Sequence, residues 1–273
     1  MDLSNENVIH VKRGSQEFLQ FKKLLQYSDI IEHAYSLGID KNYRTVRRNR
    51  MPIEDEEFNK SVENYKTLCS SVGLEAKHVI KARQSHTDKI RQIEKDLKEI
   101  EIEEYADGLV TNKNKIILAT TNADCILMLF FDPEKKVIAN VHSGWRGTVQ
   151  KISVKTLYKM NELYGTNPKD VIVCMTPSIR KCHFEVDRDV YDLFFSRFGH
   201  FKEIDDYIDY NKEKEKWYID TIGINKLILM REGVLEENII DSKICSVCSN
   251  ELVHSYRAEG KGYGLATAII SIK

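Results

Sequence analysis

The chain has 273 residues, 42% hydrophobic and 30% charged, the balance of a globule with a substantial core rather than of a disordered chain. Lysine and arginine total 41 against 42 acidic residues, so a net charge of -1 offers no overall field to attract nucleic acid or an anionic membrane. Apolar runs such as Ile126 to Phe131 fall far short of the roughly 20 residues of a membrane-spanning helix, and Met1 to Gln20 has no signal-peptide core, so six cysteines read as reduced thiols or metal ligands in a cytoplasmic protein.

In chain order, Val8 to Val11 and Ile30 to Tyr35 read as short strands. Asp55 to Val72 places Phe58, Val62, Tyr65 and Leu68 on one helix face. A strand from Val79 leads into Gln84, Ser85 and His86, and the charged stretch Asp88 to Glu104 reads as an exposed helix or excursion away from the core. Three closely spaced apolar runs follow, Ile116 to Thr120, Ile126 to Phe131 and Val137 to Val141, separated by turn residues such as Asp132-Pro133 and predicted as central strands. Thr148 is placed to cap the next helix, whose buried stripe is Ile152, Leu157, Met160 and Leu163 and whose end is Gly165.

Val171 to Met175 returns as a strand, Arg188 to Phe198 and Thr221 to Glu232 as helices, and Ile239 to Cys245 and Leu265 to Ile270 as late strands. With no repeat, no low-complexity tract and four prolines, the expectation is one α/β domain over residues 1–273, a layered α-β-α sandwich around a mixed sheet, with its weakest joint at Lys212 to Lys216. Nothing in the sequence specifies an oligomeric state.

Polar chemistry gathers at strand ends in three segments: Gln84-Ser85-His86-Thr87, Thr121-Asn122-Ala123-Asp124-Cys125, and His142-Ser143-Gly144-Trp145-Arg146-Gly147-Thr148. Thiolate and neutral imidazole are favoured zinc ligands, and three of them leave the open position that a catalytic ion needs. His86, Cys125 and His142 supply such a set, although their separations match no short zinc-finger spacing. Read singly, Cys125 is more often a small buried hydrophobe than a ligand, and a nucleophile activated by His142 is the alternative.

The three segments resemble the purine nucleoside phosphorylase/laccase-domain family, once described as multicopper polyphenol oxidoreductases. Its Gln-x-His, Ala-Asp-Cys and His-x-Gly-Trp-Arg-Gly elements correspond here to Gln84–His86, Ala123–Cys125 and His142–Gly147. The resemblance continues through Ala106-Asp107-Gly108-Leu109-Val110-Thr111, Cys182-His183-Phe184-Glu185-Val186 and His254-Ser255-Tyr256-Arg257, and is weakest before Val79.

It implies one metal, zinc with copper as the other candidate, held by His86, Cys125 and His142. The implied activities are phosphorolysis of adenosine, inosine and methylthioadenosine, and adenosine deamination. Phenol oxidation with copper is the alternative, as is a cysteine hydrolase acting on cell-wall peptides. The implied partners are purine nucleosides and phosphate. Cys125, Asp124 and Arg146 are the catalytic candidates, and Gln84, Gly144, Trp145, Arg146, Gly147 and Arg180 the candidates for substrate contact. Trp145 reads more readily as packing than as a base-stacking residue, and Asp124 as a group that orients an imidazole.

Two positions depart from the family pattern: Arg180 stands where glycine is common and His183 where cysteine is frequent. Three further features compete for attention. Cys245-x-x-Cys248 followed by His254 suggests a second zinc site but shows a single cysteine pair and no fourth ligand. Gly260-x-Gly262-x-Gly264 precedes a strand rather than a helix and reads as a turn, not a phosphate loop. The basic cluster Arg44 to Arg50, including Arg47, Arg48 and Arg50, reads as a solvated loop.

Overall fold

The segment Ile126–Asp132, ILMLFFD, is apolar at nearly every position, as a strand covered on both faces must be. In the computed structural model of the protein, which describes residues 1–45, 55–95 and 101–273, all seven of its residues are buried. In chain order the elements begin with β1 (Val8–Arg13), β2 (Gln16–Phe21), α1 (Lys22–Leu25), β3 (Ile31–Ser36), α2 (Asp55–Ser71), β4 (Val79–Arg83), β5 (Ile90–Gln92), β6 (Glu101–Tyr105), β7 (Gly108–Thr111) and β8 (Ile117–Asn122). They continue with β9 (Ile126–Asp132), β10 (Val137–Ser143), α3 (Trp145–Val149), α4 (Ile152–Tyr164), β11 (Ile172–Met175) and β12 (Glu185–Val186). The last are α5 (Arg188–Phe198), β13 (Ile208–Asn211), β14 (Lys216–Ile219), α6 (Thr221–Arg231), β15 (Ile239–Asp241), α7 (Tyr256–Glu259) and β16 (Ala266–Ile272).

The α/β layering expected from the sequence is present, and its middle layer is double. Among the described residues, one sheet has the order β1-β2-β3-β16-β8-β4-β6 and a second β15-β11-β9-β10-β7-β5; both mix parallel and antiparallel pairs. Period-two alternation sorts each strand between two cores. On β9, Leu127, Leu129 and Phe131 face the first sheet, where they meet Leu118 and Ile270, while Ile126, Met128 and Phe130 pack with Ile152, Leu157 and Met160 of α4. The outer face of the first sheet, with Val79, Ile117 and Ile269, is covered by Tyr65, Leu68 and Cys69 of α2. A satellite cluster holds Phe194 and Phe198 of α5, Ile224 and Ile228 of α6, and Ile219 of β14.

One polar residue crosses the apolar space between the sheets. Asn140 of β10 donates to the carbonyls of Leu118 (2.9 Å) and Ala268 (2.8 Å) in the facing sheet and accepts from the Thr120 hydroxyl. Both amide hydrogens and the oxygen are engaged, so it ties the sheets together without leaving an orphaned group.

Several local expectations change. Asp88 to Glu104 is not a helix where it is described: it contributes the short strands β5 and β6, and Ile93 is buried. Ile90 in β5 and Ile93 just beyond it pack against the two cores, and that burial outweighs what the charges gain from a solvated helix. Gln16–Phe21 is a strand the sequence reading missed, its polar Gln16 and Gln20 being buried beside apolar neighbours. Thr148 caps nothing; it lies buried inside α3, with its hydroxyl against Ser143 and Asn225, because the chain turns into the helix earlier, at Gly144. Gly165 does end α4, with a φ of 68° that glycine adopts without strain. Lys212 to Lys216 forms the turn between the paired strands β13 and β14, and the glycines at 260 and 262 form a turn before β16. Arg47, Arg48 and Arg50 lie outside the described residues.

Candidate active site

Three strands end on one side of the double layer. β4 and β8 belong to the first sheet and β10 to the second, and the turn Ala123–Cys125 carries the chain from β8 across to β9. Beyond those ends the ligand atoms of His86, Cys125 and His142 all lie within 4.8 Å of one another. Cys125 Sγ is 3.8 Å from His86 Nε2, and the two imidazoles meet edge to face with centroids 4.9 Å apart. His142 is buried, Cys125 half-buried and His86 exposed, so the group faces outward on one side.

Asp107, just before β7, organises this meeting. Its buried carboxylate accepts the backbone N–H groups of Ser85 (3.2 Å), His86 (3.0 Å) and Thr87 (2.7 Å) and the Thr87 hydroxyl (2.8 Å). His86 has a φ of 60°, a conformation uncommon outside glycine, and this nest of bonds to one carboxylate holds it there. Asp107 also accepts a hydrogen bond from His142 Nδ1–H at 2.8 Å, which turns Nε2 toward Cys125. A carboxylate behind a ligating imidazole fixes its tautomer and raises its basicity.

The electrostatics follow from that chain of contacts. Burial opposes ionisation of the Cys125 thiol, but His142 and then His86 overcome it and bring the thiol down to about 6. Burial likewise opposes charge on His142, yet Cys125 and Asp107 together push the imidazole up to about 10. Asp107, favoured in its neutral form by burial, is drawn down to about 2 by His142 and the Thr87 donors. Each partner thus favours the charged form of the other, thiolate and imidazolium, against the burial that opposes both.

Each remaining sequence candidate has a defined place. Gly144 closes the floor: a Cβ there would lie 2.8 Å from His86 Cδ2 and 3.0 Å from Cys125 Sγ, so any larger residue must push the His86 ring aside. Gly147 is buried beneath Ile152 and Ser143. Asp124, with φ 81°, spends its buried carboxylate on the hydroxyls of Ser246 and Ser255 (2.6 Å each) and the Arg257 N–H (2.7 Å), anchoring the Cys125 turn to the C-terminal segment. Gln84 pairs both ends of its amide with the Thr121 backbone, at 2.6 and 2.7 Å, tying the His86 turn to β8.

Trp145 lines the cavity beside the cluster, and Arg146 is exposed with its guanidinium 4.0 Å from the Trp145 ring centroid. Arg180 is not among the cavity's lining residues; it makes a bidentate pair with Asp241 at 2.7 and 2.7 Å.

The cavity itself is ≈ 590 Å³, within the range of small-molecule sites. Besides the cluster, it is lined by Arg44, Lys81, Arg83 and Arg257 and by Phe184, Tyr256 and Tyr263. Arg44 lies over the Tyr263 ring at 4.6 Å. Lys81 is buried, donating to the Tyr43 carbonyl (2.7 Å) and the Thr45 hydroxyl (3.0 Å), and burial followed by repulsion from Arg44 pulls its ammonium down to about 7. Arg44, read from the sequence as part of a solvated loop, lines the cavity instead, Arg257 was visible only within a motif, and Lys81 and Arg83 were missed, because these cations come from separate segments. The alternation of Lys81 and Arg83 on the strand leading into Gln84 was the available signal for two of them. Asp107 was visible only as part of a motif, without a role.

The description of a known family, the multi-copper polyphenol oxidoreductase laccase, matches residues 50–273. The chain belongs to that family. Among its relatives, purine nucleoside phosphorylase LACC1 of Mus musculus is 29% identical over 219 residues, 77% of this chain and 47% of that protein, so the chain spans about half its length. Adenosine deaminase RL5 of an unknown prokaryotic organism is 29% identical over 204 residues, 72% of this chain and 76% of the relative. The crystal structure of YlmD from Geobacillus stearothermophilus shares the fold, with a TM-score of 0.82 at 20% identity over 97% of this chain and 99% of that one.

Proposed function

We propose that the chain is a zinc-dependent purine nucleoside phosphorylase acting on adenosine, inosine and methylthioadenosine, with adenosine deaminase activity as well. The observation that carries this reading is the outward-facing group His86, Cys125 and His142, braced by Asp107, at the wall of a ≈ 590 Å³ cavity with cationic and aromatic lining. Two imidazoles and a thiolate fit zinc by donor type and leave a fourth position free. An ion held there supplies Lewis acidity and lowers the pKa of water toward neutrality.

The chain's own residues supply the rest. By accepting the hydrogen bond from His142 Nδ1–H, Asp107 holds that proton on Nδ1 and so leaves Nε2 available for the ion. Arg44, Arg83 and Arg257 line the cavity and are the candidates to bind phosphate and stabilise negative charge, with Lys81 a buried donor in the same lining. Trp145, Tyr263 and Phe184 offer faces for a purine. Mouse LACC1 is named for the phosphorylase reaction and RL5 for the deaminase, which supports each as a candidate reaction.

The test combines elemental analysis with chromatography of adenosine incubated with and without phosphate. Zinc at the cluster, adenine release that requires phosphate, and loss of both in Cys125→Ala are the expected results; inosine formation adds the deaminase. Copper in place of zinc with phenol turnover, or unchanged nucleoside turnover in Cys125→Ala, overturns the proposal.

One observation favours a second reading. Cys125, His142 and Asp107 stand in the order of a nucleophile, base and orienting carboxylate, with the thiol already lowered to about 6. Covalent trapping of Cys125 by an electrophilic peptide, with turnover in metal-free protein, selects a cysteine hydrolase.

A further inference from the structure

A second group of ligating atoms lies in the wall beside the cavity, built from two segments more than sixty residues apart. Cys182 and His183 sit in a tight turn, where the His183 and Phe184 N–H groups both donate to the Arg180 carbonyl, at 2.9 and 2.8 Å. Cys245 and Cys248 come from the turn after β15, joined to the first segment by the Ser178–Cys245 bridge and the Ser246 N–H bond to the Ser178 carbonyl at 3.0 Å. The four ligand atoms all lie within 4.8 Å of one another.

The distances have the pattern of a coordination tetrahedron. Zinc–sulfur bonds of about 2.3 Å and zinc–nitrogen bonds of about 2.0–2.1 Å at tetrahedral angles set sulfurs about 3.8 Å apart and sulfur about 3.6 Å from nitrogen. Cys182 Sγ is 3.7 Å from Cys245 Sγ, and His183 Nδ1 is 3.6 Å from both Cys245 Sγ and Cys248 Sγ, and 3.2 Å from Cys182 Sγ. A disulfide would require sulfurs about 2.0 Å apart.

We propose that Cys182, His183, Cys245 and Cys248 hold a structural zinc ion, separate from the group at His86, Cys125 and His142. Four protein ligands close its coordination, so it takes no substrate. Its place explains what it does. The turn bearing Cys182 and His183 continues into Phe184, which lines the cavity, and Arg257 donates to the His183 carbonyl (2.7 Å) and the Glu185 carbonyl (3.2 Å). Ser246, between the two cysteines of the second turn, holds the Asp124 carboxylate at 2.6 Å. The ion clips the two loops that form this wall and hold the turn bearing Cys125. His254, the neighbour suggested by sequence order, is engaged by Glu259 and the Lys41 carbonyl instead.

The test counts metal in the full chain purified with zinc and a reductant, then dialysed. Two zinc ions per chain are expected, one in Cys125→Ala, and one in the double variant Cys182→Ser, Cys248→Ser. Cobalt loaded into Cys125→Ala should give intense sulfur-to-metal charge transfer and tetrahedral visible bands. Because that variant leaves all four proposed ligands in place, its spectrum decides even if the double variant does not fold. A folded Cys125→Ala protein that binds neither zinc nor cobalt, or a Cys182–Cys245 disulfide in the reduced preparation, overturns the proposal. Failure of the catalytic reading looks different: zinc in Cys125→Ala would equal that in the parent, while the thiolate-rich cobalt spectrum remained.

Discussion

The two cysteine- and histidine-bearing groups differ in how their donors are held and in what they leave open. At the cavity, three donors come from three strand ends, are braced by the Asp107 carboxylate and keep one side toward the cavity. In the neighbouring wall, four donors come from two loop turns that are joined by the Ser246 N–H bond to the Ser178 carbonyl. The difference teaches that a carboxylate behind an imidazole and a vacant direction belong with reactivity, whereas four donors drawn from two loops belong with fastening.

The largest effect expected from breaking this contrast is that of Asp107→Asn. One amide oxygen cannot replace two carboxylate oxygens that receive five donors, and the amide nitrogen would face some of those donors. Metal affinity at His86, Cys125 and His142 should fall by about 100-fold, the upper end for an outer partner of a ligating histidine. Competition with a chromophoric chelator measures it, and the Cys182 group should keep its metal. Equal loss at both groups would mean that Asp107 supports the fold as a whole, not the cavity group in particular.

Gly144→Ala should act at the same group more weakly. The added methyl meets His86 Cδ2 and Cys125 Sγ, and overpacking of this kind costs about 1–3 kcal/mol. His86 is exposed and can give way, so roughly tenfold weaker binding in the same titration is expected, with helix content by circular dichroism retained. Unchanged affinity would show that His86 is not confined by the chain at Gly144.

The smallest change sharpens the comparison at the level of single thiols. In metal-free protein the Cys125 alkylation rate should rise with pH through a midpoint near 6, whereas an ordinary thiol ionises near about 8.5. The sign follows from the thiolate being the nucleophile and His142 stabilising it. His142→Ala should move the midpoint upward, because burial remains and the principal opposing charge is gone. Peptide mapping separates Cys125 from the exposed Cys182 and Cys248. A midpoint at the ordinary value in the parent protein would remove the ion pair from the account of this site.

Much of the fold was legible because it rests on local patterning. The apolar runs at Ile126 to Phe131 and Val137 to Val141, the helix stripe from Ile152 to Leu163 and the stop at Gly165 depend on periodicity and on glycine's backbone freedom, which are written residue by residue. The assignment of β8 to one sheet and of β9 and β10 to the other was not legible, since all three are apolar runs and only pairing partners distinguish them. The same limit hid the two strands in the charged stretch from Asp88 to Glu104.

The sequence by itself determined the α/β class, the family motifs and the three residues His86, Cys125 and His142 as a set worth placing together. Tertiary structure decided that Asp107 joins them, that Arg180 serves Asp241 outside the cavity lining, and that Cys245 and Cys248 find their partners at Cys182 and His183 rather than at His254. The physical reason is common to all three. A motif records which donors a short stretch of chain carries, but the direction of a side chain across a gap between two sheets or two loops is set by the packing that closes the gap.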